Sequence, residues 1–231
     1  MKGPGRAFVL FTLVIPTLIS VKAQGDWLEV RRKAHNSMLF IEAVRQSNDG
    51  TKPLDVVRST GFVISDKGYG MTVAHAVPRA TSDATVQLTA SVGSRYAPRF
   101  RVEVLRRDDD LDIALLRLPP KLQEWRLLGL GRSNDVPEDT RLYVLGFPRN
   151  SDLASAEGLL SSHFGPDGKW QTTLPLDYGN SGGPVFDVRG RVIAVAAGGY
   201  DQARAITFVI PIDYAWPLYS SVVNQPVYRY R

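Results

Sequence analysis

The chain has 231 residues, a formal net charge of +5 and no cysteine. Without cysteine there are no disulfides and no thiolate metal sites, so stability must come from burial of a hydrophobic core. The modest charge, with no basic run interleaved with aromatic residues, argues against a nucleic-acid-binding role.

The N-terminal segment 1–23 has the pattern of a secretory signal peptide. Lys2 and Arg6 form a basic start, an apolar run extends from Ala7 to Ser20, and Val21-Lys22-Ala23 fits a cleavage site. The apolar run is shorter than the roughly 20 residues that a membrane span needs, and Pro16 interrupts it. We therefore expect cleavage after residue 23, export to the periplasm or the exterior, and no membrane anchor in the mature protein.

The residues that follow are typical of an all-β protein, because short apolar segments alternate with polar turns and helical periodicity is nearly absent. In a first half we predict strands over 38–44, 56–65, 69–73, 85–92, 99–106 and 113–118. The looser pattern over 119–140 predicts a connection. Strands are then predicted over 142–146, 158–162, 170–174, 184–187, 192–197 and 205–210. A short C-terminal helix is expected from Asp213 to Val223, although Pro217 argues against it.

The segment from Leu176 to Pro184, Leu-Asp-Tyr-Gly-Asn-Ser-Gly-Gly-Pro, is the strongest candidate for a catalytic element. Its glycines allow a tight turn that exposes Ser181 and leaves backbone N–H groups able to contact a reacting oxygen. A glycine-rich turn without any chemistry has the same pattern. Whether Ser181 is a nucleophile therefore depends on a histidine and a carboxylate elsewhere in the chain.

The sequence contains three histidines, His35, His75 and His163. His75 ends a predicted hairpin strand, whereas His35 and His163 are expected at the surface. Asp112 directly precedes an apolar Ile-Ala-Leu-Leu segment, where a buried carboxylate can orient an imidazole ring. Asp110 is the alternative carboxylate.

The order of these residues along the chain separates three classes of hydrolase. The α/β-hydrolase order needs a histidine after the serine, and none follows Ser181. The subtilisin order would use Asp112, His163 and Ser181, but the chain lacks the alternating helices of an α/β fold. The remaining order, His75, Asp112 and Ser181, is that of chymotrypsin-like enzymes.

The chain resembles the trypsin-like serine proteases of the chymotrypsin superfamily, and within them the HtrA/Deg-like branch, over residues 60–212. The resemblance is carried by Thr60-Gly61-Phe62-Val63-Ile64, Thr72-Val73-Ala74-His75, Asp112-Ile113-Ala114-Leu115-Leu116, Gly179-Asn180-Ser181-Gly182-Gly183-Pro184 and Phe208-Val209-Ile210-Pro211. It implies two six-stranded antiparallel β-barrels with the active site in the cleft between them. We expect the first barrel at 36–118, the connection at 119–140, the second barrel at 141–212 and a C-terminal segment at 213–231, without a PDZ domain.

The same resemblance implies a serine endopeptidase that acts on polypeptides. Ser181 would attack the scissile carbonyl, His75 would transfer the proton, and Asp112 would orient His75. The backbone N–H groups of Gly179 and Ser181 would form the oxyanion hole.

Five residues are implied to contact the substrate: Pro175, Leu176, Ala197, Gly198 and Gly199. Pro175 takes the position at which trypsin has the acid of its specificity pocket. We therefore expect a small or apolar residue before the scissile bond, and not Arg or Lys. Residues 197–200 are expected to pair with an extended substrate by strand addition.

Two further residues bear on activation and specificity. Asn180 replaces the aspartate with which digestive proteases bind a newly cut N-terminus, so activation by N-terminal processing is not expected. Asp177 would complicate the specificity if its side chain turned into the pocket.

Two alternatives to a serine endopeptidase stay open: a catalytically silent peptide-binding module with a collapsed oxyanion loop, and an esterase. The sequence contains no cofactor motif and no metal site, and it does not define an oligomeric state.

Overall fold

The computed structural model describes residues 27–50, 53–120, 127–199 and 206–223. The expected signal peptide lies outside these residues, as do parts of the expected connection and of the C-terminal segment. Within the described residues, thirteen strands and two short α-helices confirm the all-β class. None of the helices in these ranges is long and apolar enough to cross a membrane.

The first lobe is a seven-stranded antiparallel sheet in the order β5-β4-β1-β2-β3-β7-β6. Its strands are β1 (Met38–Ser47), β2 (Pro53–Ser65), β3 (Tyr69–Thr72), β4 (Ala84–Val92), β5 (Phe100–Arg101), β6 (Glu103–Asp108) and β7 (Ile113–Arg117). We expected six strands in a closed barrel, and the hydrogen bonding instead gives seven strands in a half-barrel.

A break in the strand pairing at Val102 explains this difference. The segment 100–108 is divided there into β5, which pairs with β4, and β6, which pairs with β7 at the other edge of the sheet. Val102 itself donates its N–H to the carbonyl oxygen of Leu88 at 3.0 Å. One continuous segment therefore reaches both edges and gives the lobe its barrel curvature.

The second lobe is a closed six-stranded antiparallel barrel in the order β10-β13-β12-β11-β8-β9, which confirms the expected architecture. Its strands are β8 (Arg141–Gly146), β9 (Ala154–Ser162), β10 (Trp170–Thr172), β11 (Pro184–Phe186), β12 (Val192–Gly199) and β13 (Thr207–Pro211).

The two lobes share one buried hydrophobic cluster in addition to the core of each lobe. Phe40 of β1 packs edge-on against Phe147, which follows β8, with ring centroids 5.5 Å apart. Both side chains are fully buried, and burial of such a side chain stabilises the fold by about 1.5–3 kcal/mol. The shared cluster positions the residues that line the cleft between the lobes.

The helices lie at the two ends of the described chain. The first, α1 (Trp27–Ala34), was not predicted, and its Trp27 ring stacks on Tyr143 at 4.5 Å. The second, α2 (Ala215–Val223), agrees with the expected C-terminal helix. Pro217 is compatible with α2 because it lies in the first turn, where the backbone N–H has no intrahelical acceptor.

Candidate active site

A cleft of about 820 Å³ is lined by residues of both lobes and contains most of the predicted site. The predicted residues along it are His75, Leu176, Gly179, Ser181, Ala197, Gly198 and Gly199. Pro175 is exposed and is not one of the residues that line the cleft. The specificity argument therefore depends on its neighbour Leu176.

The strand pairing of the first lobe brings His75 and Asp112 together. His75 follows β3, Asp112 precedes β7, and these two strands are antiparallel neighbours. His75 Nδ1 lies 3.0 Å from Oδ1 and 2.9 Å from Oδ2 of Asp112. The backbone N–H of His75 also donates to Asp112 Oδ1 at 3.0 Å, so the carboxylate fixes both the ring and its backbone.

Asp112 has an unusual backbone conformation, and its contacts with His75 favour the charged form of its carboxylate. Its φ of +56° is in the left-handed region, and its side chain is 15% exposed, against 49% for His75. Burial opposes the charge of Asp112, but the hydrogen bond and the charge of His75 keep its pKa below the usual range. Asp110, the alternative carboxylate, is exposed in the adjoining turn.

Ser181 lies in the tight turn that precedes β11. Its carbonyl oxygen accepts a hydrogen bond from Thr60 N–H at 2.9 Å, which attaches the turn to β2 of the first lobe. Gly182 has a φ of +86°, and a Cβ atom there would lie 2.1 Å from the carbonyl oxygen of Thr60. Only glycine therefore fits beside the serine.

The Ser181 hydroxyl is hydrogen-bonded to a backbone carbonyl in the cleft and not to the imidazole. Its Oγ donates to the carbonyl oxygen of Ala197 at 3.3 Å, and no hydrogen bond to His75 is formed in the described part of the chain. Both side chains line the same cleft. Proton transfer from Ser181 to His75 needs a closer contact between the two side chains, and such catalytic hydrogen bonds often tighten only when substrate binds.

The residues before Ser181 form a type II turn. Asn180 N–H donates to the carbonyl oxygen of Asp177 at 2.9 Å, and Gly179, at the third position, has a φ of +95°. Tyr178, at the second position, is not among the residues with positive φ. Among the described residues, no protein oxygen accepts a hydrogen bond from the N–H of Gly179 or Ser181.

A β-bulge interrupts the pairing of β12 with β13 beside Ser181. The register shifts between Ala196 and Gly198, so Ala197 has no partner residue in the ladder. Gly198 has a φ of +121°, which favours glycine. Residues 197–199 at this strand end line the cleft. Tyr200, the last residue of the predicted edge, lies outside the described residues.

Two residues at the predicted specificity pocket were missed from the sequence, Thr207 and Arg149. Both line the cleft. Thr207 Oγ1 donates to the carbonyl oxygen of Leu174 at 2.8 Å and so holds the segment that leads to Leu176. Arg149 forms an ion pair with Asp177, which also lines the cleft. Thr207 directly precedes the Phe-Val-Ile-Pro motif, whereas no sequence signal marks Arg149.

The family model described as "Trypsin-like peptidase domain" matches residues 59–195, a range that contains His75, Asp112 and Ser181. The chain belongs to the trypsin-like peptidase domain family.

Several relatives of this peptidase domain are named proteases of the HtrA-like branch. The chain is 30% identical over 167 residues to the DegP-like periplasmic serine endoprotease of Pseudomonas fluorescens, covering 68% of this chain and 33% of that protein. It is 28% identical to the magnetosome formation protease MamE of Magnetospirillum gryphiswaldense, and the match covers 92% of this chain and 28% of that protein. It is 27% identical to the mitochondrial serine protease HTRA2 of Bos taurus, and the match covers 91% of this chain and 46% of that protein. The chain thus spans about a third of the length of the first two relatives.

A solved structure shows the same fold. The HtrA-type protease AlgW with a tripeptide superposes with a TM-score of 0.70 at 19% identity, covering 86% of this chain and 64% of that chain. At this identity the likeness supports the chymotrypsin-like fold of the peptidase domain.

Three further residues singled out in the sequence, Asn180, His35 and His163, are outside the predicted triad. Asn180 is buried, with its Oδ1 directly beside Gly146. His35 is exposed, and His163 is partly exposed, with 34% of its side chain accessible. His163 Nε2 lies 2.7 Å from the carbonyl oxygen of Val136, and its ring packs edge-on against Trp170. Within the described residues, no group of three His, Asp or Glu side chains is arranged to hold a metal ion.

Proposed function

We propose that the chain is a serine endopeptidase that hydrolyses polypeptides through an acyl-enzyme formed on Ser181. The observation that carries the proposal is the pairing of His75 with Asp112 in the cleft that also contains Ser181. The named relatives, which are serine proteases, support the same activity.

In the proposed mechanism, Ser181 Oγ attacks the scissile carbonyl carbon while His75 Nε2 takes the hydroxyl proton. Asp112 holds the Nδ1–H tautomer of His75 and stabilises the imidazolium without becoming protonated. The N–H groups of Gly179 and Ser181 donate to the oxyanion of the tetrahedral intermediate. His75 then protonates the leaving amine, and a water molecule activated by His75 hydrolyses the acyl-enzyme.

The proposed substrate is an extended polypeptide with a small or apolar residue before the scissile bond. Its backbone would pair with the end of β12, where the bulge leaves Ala197 unpaired. Apolar Leu176 and the two glycines at positions 198 and 199 line the pocket. The Arg149 guanidinium offsets the negative charge of Asp177 and competes with a basic substrate residue for that carboxylate.

Export is proposed on separate grounds. The signal-like pattern of residues 1–23 is one, and the periplasmic designation of DegP-like relatives is the other.

A catalytically silent peptide-binding module is the second candidate. The observation that favours it is that Ser181 Oγ donates its hydrogen bond to the carbonyl oxygen of Ala197 and not to His75. The type II turn at Gly179 and its unpaired N–H favour the enzyme, because a collapsed loop would turn a carbonyl oxygen into the cleft.

Labelling of the full chain with a fluorophosphonate probe tests the proposal. We expect labelling and casein cleavage in the wild type and the loss of both in Ser181→Ala. Ser221→Ala is the matched control, because its exposed hydroxyl also donates to a backbone carbonyl oxygen. Absence of labelling in folded wild-type protein would support the binding module. Ester hydrolysis without casein cleavage would support an esterase.

A further inference from the structure

The loop that follows β8, residues 147–150, packs directly against the turn that contains Gly179. Arg149 N–H donates to the carbonyl oxygen of Tyr178 at 2.7 Å. The Arg149 guanidinium also forms an ion pair with Asp177, the first residue of the turn. On the same side, a Cβ atom at Gly179 would lie 2.3 Å from the carbonyl oxygen of Phe147.

These contacts determine which way the Tyr178–Gly179 peptide faces. In a trans peptide the N–H and the C=O point in opposite directions. Because the Tyr178 carbonyl is directed at Arg149, the Gly179 N–H is directed away from the 147–150 loop. Type I and type II turns differ in the orientation of this central peptide. A flip to type I would break the hydrogen bond to Arg149 and reverse the direction of the Gly179 N–H.

The backbone of the loop is itself strained, with φ of +47° at Arg149 and +61° at Asn150. Non-glycine residues rarely adopt the left-handed region, and they stay there only when surrounding contacts hold them. The ion pair with Asp177 is such a contact. The Arg149 side chain is 67% exposed, so the pair contributes little to global stability and acts on the local conformation.

We propose that Arg149 and Asp177 are positioning residues that keep the Gly179 N–H directed into the cleft as an oxyanion donor. Their ion pair holds the 147–150 loop against the turn, and the Arg149 N–H then holds the Tyr178 carbonyl. This inference rests on the proposed peptidase function. Neither residue contacts the reacting atoms in this role.

The expected kinetic effect is a lower kcat with little change in KM. The oxyanion exists only in the transition state, so a misdirected donor weakens transition-state binding and leaves substrate binding unchanged. Complete loss of one donor typically lowers the rate by about 10²–10³-fold. Because the Arg149 backbone N–H persists in a side-chain variant, we expect Arg149→Ala to lower kcat by about 10–100-fold, within that limit.

The first experiment compares the kinetics of Arg149→Ala, Arg149→Lys and Asp177→Asn in the full chain. We expect Arg149→Lys to regain part of the lost kcat, because it keeps the charge. Arg79→Ala is the matched control, since Arg79 pairs with Asp109 and is also 67% exposed. It should keep the wild-type kcat. A wild-type kcat in both Arg149→Ala and Asp177→Asn would overturn the proposal, and if Arg149→Ala fails to fold, Asp177→Asn decides alone.

The second experiment does not depend on turnover. Spectra of glycine-selectively ¹⁵N-labelled protein report on the Gly179 amide directly. We expect its resonance to shift in Arg149→Ala and Asp177→Asn but not in Arg79→Ala. An unmoved resonance in both variants would overturn the proposal. Should the wild type lack activity while the resonance still depends on Arg149, the proposed function would fail and the positioning role would survive.

Discussion

Thr60 Oγ1 donates a hydrogen bond to the carbonyl oxygen of Gly179 at 2.6 Å, and both groups are buried between the lobes. The same hydroxyl accepts a hydrogen bond from the N–H of Phe147 at 3.0 Å. One side chain of the first lobe therefore satisfies two backbone groups of the second. It joins the turn before Ser181 to the loop that follows β8.

Replacement of Thr60 by valine tests this link. Valine keeps the shape of threonine but leaves the Gly179 carbonyl and the Phe147 N–H without a partner. A buried unsatisfied group costs about 1–3 kcal/mol, so we expect a loss of at least that size in the free energy of unfolding. Urea denaturation measures it, and Thr60→Ser should recover most of the loss. Equal stability of Thr60→Val and wild type would contradict the expectation.

Asp112→Asn tests the orientation of His75. The substitution removes the charge that stabilises the imidazolium and favours the wrong tautomer. By analogy with the triad template, we expect kcat to fall by about 10⁴-fold. Peptide hydrolysis under saturating substrate measures the change. Asp110→Asn, which alters an exposed carboxylate in the same turn, should retain activity. The assignment of Asp112 fails if Asp110→Asn is the variant that loses it.

Gly182→Ala tests the packing beside the serine. The added Cβ would lie 2.1 Å from the Thr60 carbonyl oxygen and 2.2 Å from Thr72 Oγ1, so the turn must move or the lobes must separate. Gly50→Ala is the control, because Gly50 also has a positive φ but has open space around it. We expect Gly50→Ala to lower the free energy of unfolding by only about 1–2 kcal/mol, because alanine is strained in the left-handed region. Gly182→Ala should lower it clearly more. Denaturant titrations of both variants decide this, and similar losses would refute the packing argument.

Asp213 is expected to make the free energy of unfolding depend on pH in the acidic range. Its carboxylate accepts hydrogen bonds from Ser133 N–H and Oγ and from Trp216 Nε1. Burial works against the charge, but these hydrogen bonds keep the pKa of Asp213 below its usual range. The stabilisation is therefore complete above the unfolded pKa of about 3.9 and is lost as the pH falls through the folded value.

Asp213→Asn should accordingly lower the stability of the fold at pH 7. It should also reduce the further loss of stability as the pH is lowered. Thermal unfolding between about pH 2 and pH 7 covers the window set by the lowered pKa. The control is Asp135→Asn, which changes an exposed carboxylate close to Ser133 in the chain. An unchanged acid dependence in Asp213→Asn would exclude Asp213 as a cause.

Cleavage of a peptide library tests the specificity pocket. We expect cuts after small or apolar residues to exceed cuts after Arg or Lys by at least tenfold. Asp177→Asn should leave this ratio unchanged, because Asp177 is already paired with Arg149. Strong cleavage after Arg or Lys that disappears in Asp177→Asn would show instead that Asp177 turns into the pocket.

The amino-acid sequence by itself determined the all-β class, most strand positions and the order of His75, Asp112 and Ser181. Strands and glycine turns leave local signals, because side-chain alternation and backbone freedom act over a few residues. The same reasoning missed α1 (Trp27–Ala34), which is short and depends on the stacking of Trp27 on Tyr143.

Only the tertiary structure decided how the lobes and loops meet around Ser181. The break at Val102, the ion pair of Arg149 with Asp177 and the hydrogen bond from Thr60 all join segments that are distant in sequence. Such contacts leave no periodic or local signal, because each depends on where a distant backbone group lies. For the same reason, the orientation of the Gly179 peptide follows from the tertiary contacts of its turn with β2 and with the loop after β8.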